Sequence, residues 1–155
     1  MSRLLRGLFL AFVGVIVLAA APACADDVSY YSVSLIHPKT HRLDPIVVYY
    51  NGKFMLSRRV KIPYGASFYV KARATKGRYL SVIFRDDSSR LYDLPLEQRL
   101  MKTDVKEFVW TMPRRFMPGN VEFYVCLWTG YNTETLFMEG ALYKSQFLTL
   151  GTTSI

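Results

Sequence analysis

Asn51-Gly52 lies between two apolar runs in the stretch IVVYYNGKFML, and this dipeptide constrains the fold more than any other feature of the chain. A two-residue type I′ hairpin turn needs positive φ at both central positions, which asparagine and glycine tolerate. The flanking residues therefore read as two antiparallel strands. Counting outward from the turn, Tyr50 should face Lys53, Tyr49 Phe54, Val48 Met55 and Val47 Leu56.

Period-two alternation continues beyond the hairpin, and no stretch of the exported part shows sustained helical periodicity. Val28–Ile36 reads as the first strand and HPKTHRLDP as the loop after it. In Ser67–Ala74 the apolar Phe68, Val70, Ala72 and Ala74 alternate with Tyr69, Lys71 and Arg73. Tyr79–Arg85 puts Leu80, Val82 and Phe84 on one face, with Lys76-Gly77-Arg78 as the turn between these two strands. Residues 106–112, 121–129, 135–142 and 146–150 supply the remaining strands, and 95–101 predicts one short helical connection after Pro95. Eight or nine short strands at this spacing predict an all-β, antiparallel β-sandwich. A small membrane barrel also alternates, but Arg59, Lys61, Lys71, Arg73 and Arg85 on the outward faces would be costly in lipid.

The leader explains where this sandwich works. Arg3 and Arg6 precede an uncharged run from residue 7 to 21, and Ala23-Cys24-Ala25 follows with small residues at the cut. That is the build of a signal peptide over 1–25, which leaves a single domain at 26–155 and a periplasmic or extracellular location. The apolar run is shorter than the roughly 20 residues a membrane span needs. Lipid attachment at Cys24 is the alternative, and Pro22 and Ala21 match its pattern poorly. With Cys24 removed, Cys126 has no cysteine to pair with, so packing alone must hold the exported domain together.

The segments IPYGASFYV and MPGNVEFYV each lead from a turn into a strand. In this the chain is similar to immunoglobulin-like and related β-sandwich modules of exported bacterial proteins, a resemblance that implies architecture and not activity.

Catalytic chemistry finds little support. His37 and His41 are the two histidines of the chain; Pro38 places them in a loop, and no cluster of cysteines or carboxylates completes a metal set. There is no Gly-x-Ser-x-Gly elbow. Asp86-Asp87, beside Ser88-Ser89, reads as a turn whose neighbouring side chains point to opposite faces. Cys126 shares a strand face with Glu122, Tyr124 and Trp128, and is inert if both faces of its strand are covered. The expectation is a non-enzymatic module with no cofactor and no metal.

Charge gives the best lead to a function. Residues 51–78 contain eight lysines and arginines and no acid, whereas residues 116–155 contain Lys144 against Glu122, Glu134 and Glu139. Arg59, Lys61, Tyr69, Lys71, Arg73, Lys76 and Arg78 are the candidate ligand-binding residues. If their faces coincide they form a patch for phosphates or acidic sugars. Arg58 falls in parity with Phe54, Leu56, Val60 and Ile62, so it needs either a bulge or a partner at a sheet margin. Export and the absence of interleaved aromatics argue against nucleic acid. The expected partners are an envelope or secreted protein, or an anionic envelope component such as a lipid headgroup, lipopolysaccharide or acidic polysaccharide. Peripheral contact with a membrane surface belongs to the second of these readings.

Overall fold

The computed structural model describes residues 28–144 and 148–154, with side-chain detail as far as Leu142. The expected signal peptide, Cys24 and the first two residues of the expected 146–150 strand lie outside the described residues.

Among the described residues eleven strands follow one another: β1 (Val28–Ile36), β2 (Leu43–Tyr50), β3 (Lys53–Ser57), β4 (Val60–Pro63), β5 (Ser67–Ala74), β6 (Tyr79–Arg85), β7 (Leu91–Tyr92), β8 (Val105–Thr111), β9 (Asn120–Asn132), β10 (Phe137–Lys144) and β11 (Leu148–Ser154). A five-stranded sheet runs β3-β2-β1-β5-β8. The other sheet runs β4-β11-β9-β6-β7, with β10 paired to the far end of β9. The two sheets pack face to face as the β-sandwich that the alternation predicts. All pairings are antiparallel except β4 with β11. The expected helical connection is a single 3-10 turn at Leu96–Gln98.

The hairpin forms at Asn51-Gly52, with φ of 45° and 86°. Tyr50 faces Lys53 and Tyr49 faces Phe54 as expected, but then a bulge intervenes, and Val48 faces Leu56 and Val47 faces Ser57. The extra residue is Met55, which is 62% exposed. Phe54 and Leu56, on the other face, are half-buried.

After Ser57 the chain leaves one sheet and enters the other at Val60, and Arg58 sits at the crossing. Its guanidinium donates to Asp44 Oδ1 at 2.8 Å and to the Pro45 carbonyl at 2.7 Å. The margin position with a partner is therefore the one the chain uses. The turn at 75–78 likewise joins strands of different sheets, β5 and β6.

The core is aromatic. Tyr31, Tyr49 and Phe54 cluster from the five-stranded sheet, and Tyr31 meets Phe123 of the opposite sheet edge-on. Phe84 stacks on Trp110 with centroids 4.0 Å apart and planes 2° from parallel. These contacts join the sheets.

Candidate functional site

On β5 the inward residues Phe68, Val70, Ala72 and Ala74 are buried, which forces Tyr69, Lys71 and Arg73 onto the outer face of the five-stranded sheet. The neighbouring strand β1 presents Tyr30, Ser32 and Ser34 outward, in register with Arg73, Lys71 and Tyr69 respectively. On the other side of β1, Tyr50 pairs with Tyr30. Ser32 and Ser34, small and buried, share that face.

The result is a recess of about 430 Å³ lined by Ser29, Tyr30, Tyr50, Asn51, Lys71 and Arg73. Tyr50 is 54% exposed and offers its ring beside the two cations. Lys71 makes no ion pair among the described residues. Arg73 lies 3.7 Å from Asp104, with both side chains more than half exposed. Exposed pairs of this kind contribute only about 0–1 kcal/mol, so Arg73 can exchange Asp104 for a ligand anion at little cost.

Tyr69 is committed elsewhere. Its hydroxyl donates to Glu107 Oε1, and this bond, helped by burial and the Glu107 charge, pushes the phenol up to about 12. Glu107 also stands opposite Lys71 in the β5–β8 register. Two acids from outside the basic stretch, Asp104 and Glu107, thus moderate a face that the sequence presents as purely cationic. Lys106 lies across from Ala72 at the margin of β8. Burial and then the nearby Lys102 hold its ammonium below the ordinary value.

The structure brings together Tyr69, Lys71 and Arg73 and separates the rest of the candidate set. Arg59 lies in the crossing link and Lys61 on β4, in the six-stranded sheet. Lys76 and Arg78 lie in the turn beyond the end of β5. Sequence reasoning missed Tyr30, Tyr50, Ser29 and Asn51. The signal for Tyr30 was its shared parity with Ser32 and Ser34, which marks the outward side of β1.

The other polar clusters are structural. Asp86 is 4% exposed, and its carboxylate accepts hydrogen bonds from Ser88 N–H, Ser88 Oγ, Arg90 N–H and Met117 N–H. Asp93 accepts from Val82 N–H and Leu94 N–H and lies 3.6 Å from Arg99. Burial raises its carboxyl, against the pull of Arg99 and these donors. Cys126, in register with Ser81, is 3% exposed. His37 Nδ1 accepts from the backbone N–H of Lys39 and Thr40 and so closes its own loop. Among the described residues no group of three or more His, Cys, Asp or Glu is placed to hold a metal ion, and no helix is long and apolar enough to cross a membrane.

No protein-family model matches the chain, and no curated protein matches it.

Proposed function

We propose that this chain is an exported, non-enzymatic binding module of the bacterial cell envelope, immunoglobulin-like in kind, that recognises an acidic polysaccharide on the outer face of its five-stranded sheet. The observation that carries the reading is the recess where Tyr30 and Tyr50 stand beside Lys71 and Arg73 on the outer sheet face. Cations supply charge-assisted hydrogen bonds to carboxylate or sulfate groups. Tyrosine rings supply flat apolar area with a polar tip, suited to the faces of sugar rings. A phosphate-bearing headgroup shares the anionic chemistry but makes no use of the two rings.

Binding to a carboxylated polysaccharide, its neutral counterpart and anionic vesicles, at low and moderate salt, tests this. Selective binding to the acidic polymer is expected. Salt weakens it, because exposed charges are screened within about 10 Å at 0.1 M. Lys71→Glu/Arg73→Glu should abolish it and Tyr30→Ala/Tyr50→Ala should weaken it. Binding to vesicles that survives the tyrosine variant would replace the sugar with a lipid headgroup. Equal binding to acidic and neutral polymers would overturn the reading.

A further inference from the structure

The β9–β10 hairpin is built as a projection. β9 makes its last pair with β6 at Trp128 and Tyr79, yet continues to Asn132. Those four residues carry the turn about 14 Å beyond the pair, at roughly 3.4 Å per residue. The tip is held rigidly. Asn132 Oδ1 accepts from the N–H of Glu134 and Thr135, its carbonyl accepts from Leu136 N–H, and its amide donates to Glu139. Leu136 takes a φ of 64°, a left-handed conformation that a leucine rarely adopts. The ordered tip then shows its two largest apolar side chains to solvent, Leu136 at 68% and Phe137 at 71% exposed. Strained residues of this kind cluster at functional sites.

At the opposite end of the sandwich, where β1 ends and β5 begins, lies a mainly apolar cavity of about 410 Å³. Leu35, Ile36, Pro38, Pro63, Tyr64 and Ala66 line it. Clefts in the range of about 300–1,000 Å³ accommodate groups the size of a few side chains. The hairpin and the rim of the cavity carry opposite charges. The hairpin carries Glu134 and Glu139 and no cation from Thr129 to Leu142. The loop bordering the cavity carries Lys39 and Arg42, with Lys61 on the strand that leads to Pro63.

We propose that the tip of one molecule, Leu136-Phe137, inserts into the cavity of a second copy of the same chain, so that molecules join head to tail. Tip and socket lie at opposite ends of each molecule, so the contact is heterologous and leaves one of each free after every addition. The product is a chain of copies, or a ring where the rotation closes, and not an isologous dimer. The hairpin and cavity take no part in the polysaccharide recess, so this inference stands apart from that reading.

The test is sedimentation velocity on protein expressed from the full chain, over a range of concentrations. Species that grow with concentration and weaken with salt are expected. Leu136→Asn/Phe137→Ser removes the apolar tip while placing at 136 a residue more at ease in the left-handed region. Lys39→Glu/Arg42→Glu reverses the charge at the socket on exposed loop positions. Each variant, shown to be folded by circular dichroism, should weaken self-association by about tenfold or more. The decisive sample is their mixture: each retains the surface the other lacks, so they should form a one-to-one complex that grows no further. Monomer at every concentration would overturn the proposal, as would variants that associate like the parent or a mixture that does not combine. Tip-dependent pelleting of a monomeric protein with neutral phosphatidylcholine vesicles would instead assign the tip to a membrane and overturn it equally.

Discussion

Asp86 shows how much one side chain can organise. Its carboxylate holds the turn at residues 86–90 and, through Met117 N–H, ties it to the link that precedes β9. Burial by itself would raise this carboxyl, but the donors from Met117, Ser88 and Arg90 outweigh it and hold the group below its ordinary value of 3.8. A carboxyl depressed in the folded state gives stability that is fully present above the unfolded value. That stability is lost as pH falls through the lower folded one. Asp93 has the opposite sign: its carboxyl is raised, so the cost of its buried charge is relieved as pH falls. Replacing Asp86 with Ala removes the shared acceptor of three part-buried backbone hydrogen bonds, from Ser88, Arg90 and Met117, each worth about 0.5–1.5 kcal/mol net. Urea denaturation from pH 7 to pH 3 should show Asp86→Ala less stable by about 2–4 kcal/mol at neutral pH. The gap to the parent should narrow in acid.

The β3 to β4 passage shows what local sequence can and cannot specify about an element. Asn51-Gly52 fixes a turn through its own backbone preferences, and the first two pairs beside it follow from counting. The bulge at Met55 does not follow, because it depends on packing with residues distant in sequence, such as Phe54 against Tyr31. Which sheet a strand joins is equally non-local: Ser57 and Val60 are three positions apart and lie in different sheets. The candidate site divides along the same line. The shared face of Tyr69, Lys71 and Arg73 follows from alternation within one strand, whereas Tyr30 and Tyr50 join them through the register of two further strands. Arg58 hinted at the crossing by breaking the apolar parity. Its pair with Asp44 is well exposed, at 41% and 54% for the two side chains, so Arg58→Ala should lower global stability by no more than about 1 kcal/mol. Hydrogen exchange should accelerate at residues 57–60, where the crossing loses its clasp.

At the scale of the whole molecule, the aromatic core joins the two sheets. Phe84 touches Trp110, Phe68 and Phe123, bridging both sheets. Phe84→Ala should therefore cost about 3–5 kcal/mol, against a total of about 5–15 for a typical domain, and a urea melt should show a marginal or unfolded protein. Such a core leaves the outer surfaces free to differ from one another, and they do. The basic recess occupies a sheet face, and the acidic hairpin and apolar cavity occupy the two ends. Copies joined end to end would present their recesses repeatedly along one polymer, and linked sites bind a multivalent ligand more tightly than single ones. Leu136→Asn/Phe137→Ser should then weaken binding to a long acidic polysaccharide while leaving affinity for a short oligosaccharide of the same sugars unchanged. Lys71→Glu/Arg73→Glu should abolish both. Calorimetry with the two ligand lengths separates these outcomes, and equal losses for long and short ligands in the tip variant would sever assembly from recognition.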